Sequence, residues 1–112
     1  MTAGLYNFEC TKGSALGVTI TIKNPDSEKA QLTSWNSRMQ IRKTMDAASP
    51  MLELTNANGR LVHNVSNGTI TVTLTSAETN TLTSSGIYDL ELVEENSGTV
   101  IRLLQGNFNV TV

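Results

Sequence analysis

The closing stretch SGIYDLELVEENSGTVIRLLQGNFNVTV, residues 85–112, decides the fold. Its apolar residues recur at every second position, Tyr88, Leu90 and Leu92 first and Phe108, Val110 and Val112 last. That period puts side chains on one face of a pleated strand. Glu95-Asn96-Ser97-Gly98 breaks the alternation with residues suited to a tight turn, so the stretch reads as two or three strands of an antiparallel meander. Residues 99–105 form a strand after the turn, and Gly106 marks a bulge or kink before the last one.

The same period runs back through the chain. Residues 69–75 alternate most cleanly, with Ile70, Val72 and Leu74 inward and Thr69, Thr71, Thr73 and Thr75 outward. This strand carries no charge, so it is expected to lie at the centre of its sheet or under a neighbouring subunit. Trp35, Ser37, Met39 and Ile41 share one side of a strand whose other side holds Asn36, Arg38, Gln40 and Arg42, a basic outer face. Tyr6, Phe8 and Cys10, and then Val18, Ile20 and Ile22, mark two earlier strands. Asn24-Pro25-Asp26-Ser27 is a turn by composition, and residues 43–50 form a loop. Leu52 and Leu54 belong to a strand that Asn56-Ala57-Asn58-Gly59 is expected to join, as a hairpin, to its partner in residues 60–65, with a second turn at Asn67-Gly68. One helical signal stands apart: Thr75-Ser76-Ala77-Glu78 matches the capping box. The poor helix formers that follow limit it to a single turn, and Leu82 is placed to plug that turn onto the core.

The expected fold is therefore all-β: an immunoglobulin-like antiparallel β-sandwich with about eight strands and one short helical turn. The 112 residues are enough for one domain with a core of its own, and no repeat or linker divides residues 1–112. A net charge of −2 generates no field that gathers phosphate backbones or anionic lipid, so neither nucleic acid nor a membrane is expected as a partner. The single cysteine, Cys10, allows no internal disulfide. The sequence begins without a basic, then apolar leader, and no run of 18 apolar residues occurs, so synthesis in the cytoplasm is expected.

Few residues suggest chemistry. His63, the sole histidine, has no ligand or nucleophile spacing around it and reads as a surface or turn-facing residue. Cys10 alternates with Phe8 and Tyr6 and reads as a small buried apolar group. Asp89, Glu91, Glu94 and Glu95 lack calcium-loop spacing, and read as a solvated face or one paired with Arg102 across the strands. Arg38, Arg42 and Lys43 lack the interleaved aromatics of a nucleic-acid surface and suit contact with an acidic protein surface better. Three N-x-[ST] sequons, at Asn64, Asn67 and Asn109, reflect an Asn- and Thr-rich composition. No enzyme, metal or cofactor is expected. The candidate contact residues are Trp35, Arg38, Gln40, Arg42, Lys43 and Arg102.

The motifs Arg38-Met39-Gln40-Ile41-Arg42, Leu52-Glu53-Leu54-Thr55, Ser76-Ala77-Glu78-Thr79, Tyr88-Asp89-Leu90-Glu91-Leu92 and Val100-Ile101-Arg102-Leu103-Leu104-Gln105-Gly106 follow one another in this order. In that order the chain resembles a family of small tailed-phage and prophage virion proteins, and in outline it is similar to the N-terminal immunoglobulin-like domain of phage baseplate upper proteins. Lys12-Gly13-Ser14-Ala15 varies the family's segment after the first strand, and many family members extend past the last strand, whereas the sequence here stops at Val112. The resemblance implies a non-enzymatic virion protein, made in the host cytoplasm. It would work through contacts with other phage virion proteins, in multiple copies or as a homo-oligomer, in the tail, baseplate or neck. The alternatives are a capsid decoration protein on the head exterior and a host-surface recognition module.

Overall fold

The computed structural model describes residues 4–21, 35–64 and 68–111. Ile22, the turn at residues 24–27, Val65, Asn67 and Val112 lie outside the described residues. Two sheets face each other. The larger contains β1 (Gly4–Leu5), β2 (Phe8–Thr11), β4 (Trp35–Arg42), β5 (Leu52–Thr55), β8 (Gly86–Glu94) and β9 (Val100–Thr111). The smaller contains β3 (Leu16–Thr21), β6 (Leu61–Asn64) and β7 (Thr69–Leu74), with α1 (Ser76–Thr79) on the way from β7 to β8. The larger sheet runs β1-β9-β8-β4-β5, with β2 also on β9, and the smaller runs β3-β7-β6.

Alternation sets which side of each strand is buried. Met39, Ile41, Leu54, Ile70, Val72, Leu90 and Phe108 are closed to solvent between the sheets. Burial of each such side chain contributes about 1.5–3 kcal/mol. Phe8 packs edge-on against Tyr88, with ring centroids 4.8 Å apart, and Cys10 is buried beside this cluster, as its alternation implies. The uncharged β7 is central, between β3 and β6. The capping box is complete: Thr75 Oγ1 accepts from the Glu78 amide and Glu78 accepts from the Thr75 amide, and Leu82 is buried behind the turn.

The described residues form nine strands, in line with the eight or so expected. Four expectations need correction. The sandwich is not wholly antiparallel, because β1 and β2 run parallel to β9. Residues 56–59 are no hairpin, since β5 pairs with β4 and β6 with β7. The Asn side chains explain why: Asn58 Oδ1 accepts from the amides of Thr55 and Arg60, and Asn56 Oδ1 from that of Ser37. These bonds close off the end of β5 and send the chain across to the other sheet. Tyr6 lies outside the strands and is 43% exposed, although its ring meets Phe8 edge-on. Finally, residues 100–111 are one strand, and its irregularity lies between Leu90 and Glu91 on β8, where Leu103 is the extra residue on β9.

Gly106 has another role. The register of β1 and β2 on β9 is the same on both sides of Tyr6 and Asn7, and there the backbone comes close. A Cβ on Gly106 would stand 2.2 Å from the Tyr6 carbonyl oxygen. That carbonyl accepts from the Tyr88 hydroxyl at 2.6 Å, while the Tyr6 amide donates to the Gln105 carbonyl. Gly106→Ala is expected to destabilise the fold by about 1–3 kcal/mol, the usual cost of overpacking, read as a lower urea midpoint. An unchanged midpoint would show that the Tyr6 segment is not held against β9.

Candidate functional site: the outer face of the larger sheet

The strand parity that buries Met39, Leu90 and Phe108 turns Arg38, Gln40, Arg42, Glu53, Ile87, Asp89, Glu91, Arg102 and Gln105 outward on one face. Of the six candidates from the sequence, the structure brings four together here: Arg38, Gln40, Arg42 and Arg102. Lys43 is exposed just past the end of β4. Trp35 belongs to the opposite side of β4, half-buried and packed on the core cluster.

Charges on this face are paired across strands. Arg38 donates to Glu91 at 2.8 Å and Arg102 to Asp89 at 3.3 Å. The expected pairing of Arg102 with the acidic face is therefore present. On β4, β5, β8 and β9, Arg38, Arg42 and Arg102 stand against Glu53, Asp89 and Glu91, so the face is not basic overall. Such half-exposed pairs contribute about 1 kcal/mol or less to stability.

Arg42 differs from the other two arginines. One nitrogen donates to the Ala47 carbonyl at 3.0 Å and the other to Gln40 Oε1 at 2.7 Å. Gln40 in turn donates to Glu53 at 2.5 Å, so an amide stands between Arg42 and that carboxylate. Among the described residues Arg42 makes no ion pair. Its bond to Ala47 ties down the loop of residues 43–50, where the Ala47 amide also donates to the Thr44 carbonyl. Met45, at the tip, is left 87% exposed. Leu5, on β1, is 81% exposed.

Between these two apolar residues runs an open groove of about 390 Å³, with Arg42, Ile87 and Asn107 on its floor. It crosses from β4 over β8 and β9 to β1, three inter-strand steps or about 14 Å. Leu5, Met45, Ile87, Gln105 and Asn107 were not recognisable as site residues in the sequence, because they come from separate elements. Met45, the one large apolar side chain among residues 43–50, was the only local sign.

Ser37 and His63 form the other chemically suggestive pair. Ser37 Oγ and His63 Nε2 share a 2.6 Å hydrogen bond from β4 to β6. His63 is thus half-buried and faces Ser37 on the opposite sheet, not out to solvent as expected. Ser37 is only 2% exposed, so no substrate can reach its hydroxyl. The pair ties the two sheets. Among the described residues, no three His, Cys, Asp or Glu side chains stand close enough to hold a metal ion, and no helix is long and apolar enough to cross a membrane.

No protein-family model and no curated protein matches the chain. Among solved structures the chain is similar to that of the NK cell receptor Nkp44, described as a triggering partner in natural cytotoxicity. The two superpose over 99% of this chain and 100% of that one, with a TM-score of 0.59 and 14% identity. The fold is immunoglobulin-like. At this identity the likeness extends to the fold alone, and the surface of this immunoglobulin-like sandwich has to be read from its own residues.

Burial pushes the His63 imidazole below its ordinary pKa of 6.5. The unfolded chain therefore binds the proton first as the pH falls. The stability that neutral His63 provides is complete above pH 6.5 and is lost as the pH drops toward the folded-state value. Urea midpoints measured from pH 7 to pH 5 are expected to fall less for His63→Gln, which does not titrate, than for the natural chain. Parallel curves would contradict this placement of His63.

Proposed function

We propose that the chain is a non-enzymatic structural protein of a bacteriophage virion, acting through protein–protein contacts in the tail, baseplate or neck. The observation that carries the contact reading is the outer face of the larger sheet: cross-strand charge pairs beside a groove edged by exposed Leu5 and Met45. Exposed apolar groups within a polar rim are the usual composition of a protein-binding patch. The virion assignment is supported by the motif order from Arg38 to Gly106 and its resemblance to phage virion proteins. A specific contact buries about 800 Å² per partner, and many copies on a particle multiply modest affinities.

Quantitative mass spectrometry of purified particles is expected to find the chain in fixed stoichiometry with tail, baseplate or neck components. Arg38→Ala combined with Arg42→Ala is expected to keep the fold, by circular dichroism, and to lower incorporation several-fold. Absence from particles would contradict the virion assignment. Stoichiometric presence on heads alone would move the protein to the capsid exterior, and unchanged incorporation of the double variant would remove this face from the contact surface.

A further inference from the structure

The groove on the larger sheet carries an imbalance that the rest of the face does not. Arg102 and Asp89 line it and neutralise each other at 3.3 Å. Arg42 also lines it, half-buried, and among the described residues is bonded only to neutral acceptors, the Ala47 carbonyl and Gln40 Oε1. The described lining of the groove therefore holds one guanidinium in excess of its carboxylates. Glu53, on the neighbouring β5, is occupied by Gln40. Apolar surface flanks the charge: Met45 beside it in the 43–50 loop, Ile87 opposite Arg42 on β8, and Leu5 at the far end.

We infer that this groove receives a protruding segment of a partner protein that presents one Asp or Glu carboxylate between apolar side chains. The inference rests on the contact-module reading above and adds the chemistry of the partner. The carboxylate seats on Arg42, where a charge-assisted pair forms in a partly desolvated setting. The apolar neighbours cover Met45, Ile87 and Leu5. A length of about 14 Å accommodates roughly four residues of extended chain, at about 3.3 Å each. A free anion would satisfy Arg42 but leave the apolar walls uncovered, and a purely apolar segment would desolvate Arg42 without pairing it, which is costly.

The test is an NMR titration of the isotope-labelled chain with acetyl-Leu-Glu-Leu-amide, its Gln counterpart and sodium acetate. The Glu peptide is expected to shift the amides of residues 42–45, 87 and 105–107 and to bind about tenfold or more tightly than the Gln peptide. Arg42→Gln is expected to abolish that difference. Because Arg42 also anchors the loop at Ala47, Arg42→Lys serves as the second variant: it keeps the charge and is expected to retain the preference for Glu. Met45→Ser is expected to weaken both peptides alike. Equal binding of the two peptides, acetate matching the Glu peptide, shifts centred outside the groove, or no shifts at all would each overturn the inference. The titration uses the isolated chain, so its failure is separate from absence of the chain from particles, which is what would sink the virion reading.

Discussion

The Tyr88 hydroxyl, donating to the Tyr6 carbonyl at 2.6 Å, joins the beginning of the chain to the middle of the larger sheet. Around that bond the backbone of Tyr6 lies against Gly106, and the first strands align with β9 on both sides of it. Much else follows from the closure. It lets β9 be paired along both edges, by β8 on one side and by β1 and β2 on the other. It also fixes Leu5 at the rim of the outer face. Burial favours the protonated Tyr88 phenol and pushes its pKa well above the ordinary value, so the donor is present at neutral pH.

The two sides of the larger sheet differ in kind. Inward residues such as Met39, Leu90 and Phe108 supply the core, while outward ones form a field of paired charges. Paired charges contribute little to folding, and under the proposed function their arrangement along β4, β8 and β9 would serve a complementary surface. Arg42 is the exception within that pattern, held by neutral acceptors between a loop and a strand. The Ser37–His63 bond lies on the other side of β4 and keeps the smaller sheet in register with the larger.

Much of this was legible in the sequence, and the parts that were not have a common cause. Alternation gave the inward sets of β4, β7 and β8 correctly, and the capping box at Thr75 and Glu78 formed as its spacing implied. Period and turn chemistry are local. Which strand pairs with which is not: Asn56 to Gly59 has the composition of a hairpin, yet its amides bond backbone groups in a way that sends β6 to the other sheet. Four residues of β6 were too few to show by period that His63 faces inward. The groove was invisible for the same reason, since β1, the 43–50 loop, β4, β8 and β9 meet only in the folded chain. Four of the six proposed contact residues do share its sheet face. Alternation also put Trp35 on the inward side of β4, where it packs on the core, and its inclusion among the contact residues ran against that parity.

The central claim is that the outer face of the larger sheet is the surface by which this immunoglobulin-like domain is held in a particle. Hydroxyl-radical footprinting of the free chain and of intact particles addresses it directly. Met45 and Leu5 should be oxidised in the free chain and protected in particles, while Val62, exposed on the opposite sheet, stays equally reactive in both. Equal oxidation of Met45 in the two states, or protection confined to Val62, would contradict the account.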